Sequence, residues 1–442
     1  MYKKVFQISN GRKQQLIFKD RLKLVTLLTT LFIFALSIPG ISYFAIIITF
    51  FCLVIPPLSK ILRESITIGR KKKTIPAKSF LVALIPLFLF SITYFTAVFG
   101  YNLVDETTAI RGVVLINISY IIGYNINFKQ PFNYIYVYLA LIAGGVVFVY
   151  LSVNSSSVSD IIDRSAPNFW KPGEDPVNGT VLDLYSMLGT GLIPFAFYGK
   201  NQLFNSKRYN LTAIACLIVG FMSLYTSILL QGRKAIISLF VVLATTTLFK
   251  LKSVEKKDVR NFYVFLLIFL SLLLIVTFDT VAGAIFKNFE IFNRLQNEGL
   301  ESGRYQAWAE ILTAMPNHLF GGRAFPISES YAHNIWLDVF YDGGFLPMSL
   351  LLIFHILHIK PTLRIVFSNL PETIIILIIC AMVPTLIGFQ GEPVIQASLF
   401  YFATSCCFFG LVMRLSQITD LYDTVNEEPS GSEIEMENKL QR

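Results

Sequence analysis

The sequence predicts an all-α, polytopic integral membrane protein with about twelve transmembrane helices and one long, partly helical loop on the outer side. Three observations predict this. Apolar residues make up 54% of the 442 residues and charged residues only 15%, against roughly 25% charged residues in soluble domains. Apolar runs long enough to cross a ~30 Å hydrocarbon core recur along the whole length. The basic residues lie in short segments between those runs, as membrane topology requires, and not on one face of a soluble module. That distribution sets nucleic acid aside as a partner despite the net charge of +9.

Taken in order, the first 23 residues carry seven Lys or Arg and no long apolar run. They read as a cytoplasmic tail, with 1–21 outside the bundle, and no cleavable signal peptide is visible. Helices are expected at about 22–38, 41–58, 79–100, 112–127, 132–153, 181–199, 211–230, 235–250, 262–279, 345–359, 373–391 and 394–412. The long outer loop then covers about 279–345, and 413–442 forms a polar, acidic cytoplasmic tail with too little apolar content to fold alone. With the N-terminus inside, the inner segments hold 28 of the 37 Lys and Arg and the outer ones 9, which fixes the orientation by the positive-inside rule. The five cysteines all fall inside apolar segments without metal-ligand spacing, and they read as small lipid- or core-facing residues.

The outer set holds six Arg and three Lys, whereas the inner set holds 9 Arg and 19 Lys. Arginine retained on the outer face against the bias suggests sites that need a planar, bidentate oxyanion binder. One such residue is Arg233, in the tight turn Gln231-Gly232-Arg233-Lys234 between two apolar helices. It reads either as an interfacial anchor or as an anion-binding group at the mouth of the bundle. Arg304 opens the loop's first helical segment, which Ser302 is placed to cap. Arg304, Trp308, Ile311 and Met315 share one face of that segment, which suggests a helix lying on the membrane surface.

A Gly-rich turn follows, Pro316-Asn317-His318-Leu319-Phe320-Gly321-Gly322-Arg323. Beyond it lies Ser330-Tyr331-Ala332-His333-Asn334-Ile335-Trp336-Leu337-Asp338. With Ser330 as N-cap, His333 falls in the first turn of a helix whose positive end disfavours the imidazolium. A neutral imidazole there can take a proton from a hydroxyl, and the same helix end attracts anions. A satisfied structural histidine is the competing reading. His318 reads as a turn residue, His355 and His358 as packing residues near the inner end of the tenth helix, and Glu392 and Asp279 as hydrated groups at outer helix ends. No Asp, Glu or Lys falls near a helix midpoint except Asp183, one turn into the sixth helix, which argues against an ion-coupled transporter.

Ser302-Gly-Arg-Tyr-Gln-Ala-Trp and His333-Asn-Ile-Trp-Leu-Asp-Val-Phe-Tyr-Asp-Gly-Gly, together with Gln231-Gly-Arg-Lys-Ala, resemble the O-antigen ligase and O-antigen polymerase family of bacterial envelopes. The likeness covers about 211–412; the first half matches only in hydrophobicity and helix number. Lys234 stands where the family has a small residue, and Pro347 where a Gly is common. The resemblance implies an inner-membrane glycosyltransferase without metal or other cofactor. Its donor would be an undecaprenyl-diphosphate-linked oligosaccharide on the periplasmic face. Its acceptor would be a second glycan (polymerase) or lipid A–core (ligase), with a chain-length regulator among the polymerase's partners. By position, Arg233 and Arg304 would bind the diphosphate with Lys234 and Arg323 beside them, and His333 would be the general base. Asn334, Asp338 and Trp308 would support it. Polymerase is favoured over ligase, and the reading from another class is a polysaccharide flippase or other transporter.

Overall fold

A chain this apolar must satisfy its backbone internally, and helices do so within one segment. The structure, a computed structural model, describes residues 65–68, 71–74, 78–125, 132–157, 160, 165–168, 176–198, 206–230, 232–253, 303–368 and 370–427. These are mostly helical, with almost no sheet. Two short antiparallel pairs occur: β1 (Ser65–Ile68) with β2 (Lys71–Thr74), and β3 (Ser165–Ala166) with β4 (Val177–Asn178).

The helices are α1 (Lys78–Gly100), α2 (Glu106–Asn125), α3 (Phe132–Asn154), α4 (Gly179–Thr190), α5 (Leu192–Tyr198), α6 (Ser206–Leu229) and α7 (Arg233–Ser253). After them come α8 (Arg304–Ala314), α9 (Ile335–Gly343), α10 (Phe345–Val366), α11 (Glu372–Gly391), α12 (Val394–Ala397) and α13 (Leu399–Glu427). Among the described residues nine helical stretches are long and apolar enough to cross a membrane, with α4 and α5 counted as one. They match nine of the expected spans. The expected helices at 22–38, 41–58 and 262–279 lie outside the described residues, as do 1–21, 279–302 and 428–442.

Some boundaries differ for identifiable reasons. α2 begins at Glu106, not near 112, because Asp105 caps it: its carboxylate accepts from Thr108 N at 2.8 Å and Thr108 Oγ1 at 2.7 Å. α10 runs on to Val366, past the expected end at 359. His355 and His358 therefore sit mid-helix and not near its inner end. His355 is buried among Phe354, Phe389 and Phe409, and His358 among Tyr120, Phe354 and Phe409. α13 continues to Glu427, past 413, where the polar tail was expected to begin.

Close helix contact rests on small residues, the usual device where lipid gives no hydrophobic drive for helices to associate. A methyl group on Gly123 of α2 would collide with the Cys407 carbonyl of α13, and one on Gly410 with the Tyr120 carbonyl. α13 is buried along nearly its whole membrane span. Buried aromatic rings pack against it, Tyr138 of α3 near Phe408 and Phe354 of α10 near Phe409.

Candidate functional site

The segment 303–344 folds onto the bundle end through α8 and α9. α8 is tied down by Trp308, whose Nε1 donates to Ala332 O at 2.6 Å, and by Glu310, which accepts from Ser328 N at 2.6 Å. Ala307 and Ile311 are buried, and Ile311 joins a small core with Ala332, Phe340 and Tyr341, against which Trp308 and Met315 pack. The expected face is therefore turned toward the loop itself, and it is not the underside of an isolated surface helix. Gly303 is the N-cap residue, with no side-chain cap bond; Ser302 lies outside the described residues.

The α9 cap also differs from expectation. Asn334, not Ser330, caps it, its Oδ1 accepting from Trp336 N and Leu337 N at 3.2 Å each. Asn334 is in extended backbone, and its side chain reaches forward as N-cap geometry requires. His333 thus precedes the helix and is not in its first turn. Its φ of 54° is in the left-handed region, uncommon for a non-glycine residue and costing about 1–3 kcal/mol. Asp338 holds that kink from the helix side. Its Oδ1 accepts from Ala332 N at 2.7 Å and its Oδ2 from Asn334 N at 3.0 Å, so its carboxylate grips the residues on both sides of His333. Burial pushes the Asp338 carboxyl up to about 8, against the pull of those two N–H donors.

The His333 ring faces Glu392, the residue after α11, with Nδ1 3.4 Å from Oε2. The other Glu392 oxygen is paired with the Lys234 ammonium, which also donates to Gly391 O. Arg304 Nη1 donates to the same Gly391 carbonyl at 3.3 Å. Groups from the starts of α7 and α8 and from the approach to α9 therefore converge on the C-terminal end of α11, where exposed carbonyls attract cations. Buried Asp183 stands behind this cluster: a Cβ on Gly232 would lie 2.5 Å from its Oδ1. Burial would raise the Glu392 carboxyl, but Lys234, the hydrogen bond from His333 and Arg304 outweigh it and hold the group down at about 2.

A second cluster adjoins the first through α12. Asp342 of α9 accepts from Arg323 Nε at 2.8 Å, Gln396 Nε2 at 2.8 Å and Tyr94 OH at 3.2 Å. The Arg323 guanidinium also lies 4.9 Å from the Tyr331 ring centroid. Of the expected site residues, His333, Lys234 and Arg304 come together. Asn334, Asp338 and Trp308 support the His333 segment. Arg323 belongs to the Asp342 clasp and not to the Lys234 group. Arg233 begins α7 next to Lys234, but its side chain lies outside the described residues.

Glu392 was missed: the expectation of a hydrated helix end is overturned, since only 3% of it is exposed. A signal was present, because it is the only charged residue between Glu372 and Arg414. Asp342 lies inside the stretch that carries the resemblance but was not singled out, and Gln396 and Tyr94 carried no comparable mark. The arrangement is suited to moving a proton beside an anion. If His333 donates Nδ1–H to Glu392, its Nε2 keeps a lone pair, and Glu392 stabilises the imidazolium that proton uptake creates. Among the described residues Arg304 makes one long hydrogen bond, and a guanidinium has further N–H groups that can meet an oxyanion. No protein-family model matches the chain and no curated protein matches it, so the chemistry of these residues is the ground for a functional reading.

Proposed function

We propose that the protein is a metal-independent glycosyltransferase of the O-antigen polymerase type. It transfers a glycan from undecaprenyl diphosphate to an acceptor sugar hydroxyl on the outer face of a bacterial inner membrane. Twelve spans, cytoplasmic termini and a periplasmic 279–345 loop are part of the same proposal. The observation that supports it most is the meeting of His333 and Lys234 on Glu392, with Arg304 on the adjoining Gly391 carbonyl, at one end of the bundle.

In this reading the acceptor hydroxyl gives its proton to His333 Nε2 as its oxygen attacks the anomeric carbon. The bond from that carbon to the phosphate oxygen breaks on the opposite side, with inversion. The diphosphate leaves with its charge met by Arg304, and by Arg233 as the resemblance implies. Lys234, engaged by Glu392, sets the field and holds the carboxylate.

His333→Ala and Arg304→Ala are expected to abolish glycan chain growth while the protein still inserts in the membrane. Normal lipopolysaccharide ladders from either variant sink the proposal. Deletion separates polymerase from ligase: loss of a polymerase leaves core plus one repeat, and loss of a ligase leaves bare core.

One observation favours the transport reading. His355 and His358 are buried near the middle of α10, and ionisable groups in the middle of a membrane helix often mark pathways. A transporter predicts movement of glycan that depends on an ion gradient, survives His333→Ala and fails in a His355→Phe, His358→Phe double variant.

A further inference from the structure

Phe320 is 82% exposed, more than any other large apolar side chain among the described residues. It sits in the turn Leu319–Gly322, whose backbone is held rather than loose. Phe345 N donates to Leu319 O at 2.8 Å, Tyr101 OH donates to Phe320 O at 3.0 Å, and Gly322 N donates to Asp342 O at 2.9 Å. Gly321 and Gly322 both have φ of 74°, and Gly344 beside them has φ of 93°. A Cβ on Gly344 would lie 2.6 Å from the Leu319 carbonyl oxygen. Only glycines let the turn lie this close to the start of α10.

The turn is thus fixed with an apolar tip, so Phe320 is not a side chain awaiting collapse onto the loop's own core. Two of its anchoring contacts come from the residue after α1 and from the first residue of α10, at the ends of two helices long and apolar enough to cross a membrane. The exposed apolar side chains around it continue the lipid-facing sides of the same helices: Phe99 and Tyr101 at the end of α1, Phe345 and Leu346 at the start of α10. The turn itself carries no charge between His318 and Arg323.

We propose that Leu319–Phe320 is a membrane-interface anchor that inserts into the acyl–headgroup boundary of the outer leaflet. The occupant is lipid because the patch runs without a break into surfaces that already face the bilayer, and aromatic rings are favoured at that depth. Through the Arg323–Asp342 contact the turn is joined to α9, so the anchor sets the height of His333 above the bilayer. The insertion itself does not depend on what reaction His333 serves.

The test is a nitroxide spin label on Phe320→Cys in a Cys52→Ser background, with the protein in liposomes; Cys216, Cys380, Cys406 and Cys407 are buried. Power saturation compares access of oxygen, which partitions into the bilayer, with access of a water-soluble nickel chelate. Labels on Leu319→Cys and on exposed Ser330→Cys serve as second site and water-side control. The expected result is an oxygen-to-nickel ratio several-fold higher at 320 and 319 than at 330. A nickel-accessible label at 320, matching 330, overturns the anchor. Shielding from both reagents also overturns it, because it shows that protein, a second copy or another chain, covers the turn.

Discussion

Replacing Glu392 by Gln tests the cluster most directly, because it keeps the side-chain size and removes only the charge. Glu392 is almost fully buried and Lys234 largely so. Burial would raise the Glu392 carboxyl, yet the Lys234 ammonium, the hydrogen bond from His333, and Arg304 hold it below the ordinary range, so its ionised form is favoured in the folded protein. Removing one member of a buried ion pair and leaving the other costs ~3–5 kcal/mol. Glu392→Gln should therefore lose about 3 kcal/mol in a denaturation series in nanodiscs. Lys234→Met added to it should recover part of the loss, since the stranded ammonium is then gone. Because the folded carboxyl titrates below its ordinary value, its stabilisation is present above pH 4.5 and drains away as pH falls toward 2; the variant should lack that acid-side decline. Turnover of a carrier-linked repeat unit should drop ~10²-fold or more through loss of the oriented imidazole, and the double variant should not restore it. Wild-type stability and turnover in Glu392→Gln would refute the claim that this carboxylate organises the site.

Three other perturbations have defined outcomes. Asp338→Asn keeps one acceptor for the N–H groups flanking His333 and loses the other, at ~1–3 kcal/mol. The native carboxyl titrates up at about 8, so its contribution is greatest at acid pH and is lost as pH rises through 8; melting temperatures from pH 6 to 9 should fall less steeply in the variant. Gly344→Ala puts a Cβ 2.6 Å from Leu319 O at a φ of 93°, and thermal inactivation should reveal a loss of ~2 kcal/mol or more. Trp336→Phe keeps an aromatic ring but removes the 3.0 Å bond from Nε1 to His355 Nδ1. It should cost about 1 kcal/mol by denaturant midpoint, with hydrogen exchange of α9 amides rising before that of α10.

The membrane helices were legible because the bilayer imposes a length and a composition that sequence displays directly: the Phe80–Gly100 and Glu372–Gly391 spans could hardly read otherwise. Ends were less legible, since they depend on single polar groups. Asp105 extends α2 by a turn beyond its apolar run, and Asn334 wins over Ser330 at α9 because two backbone N–H groups fall within its reach. His333, Arg304 and Lys234 were visible as types in a pattern. Glu392 was misjudged because its partners lie 158 and 59 positions away, and an acidic residue before Pro393 looks like an ordinary wet turn. Its meaning comes from tertiary approach alone.

The placement of these groups at element ends has a physical cause. Helix termini carry unpaired N–H and C=O groups, which cannot be left bare in hydrocarbon and so gather at the boundary of the apolar layer. Gly391 O is one of these, and Lys234 and Arg304 both answer it. Cations drawn to satisfy a carbonyl then need a counter-charge, which Glu392 supplies in the next residue. That carboxylate in turn fixes which face of the His333 ring looks outward. α9, only nine residues long, is tied in several ways: Asn334 caps it, Asp338 holds the backbone on both sides of His333, Trp336 bonds His355 of α10, and Asp342 clasps Arg323, Gln396 and Tyr94. A segment that reads as a connection in an outer loop is therefore constrained as strongly as a buried helix. The strained backbone at His333 persists because Asp338 holds the N–H groups on both sides of it.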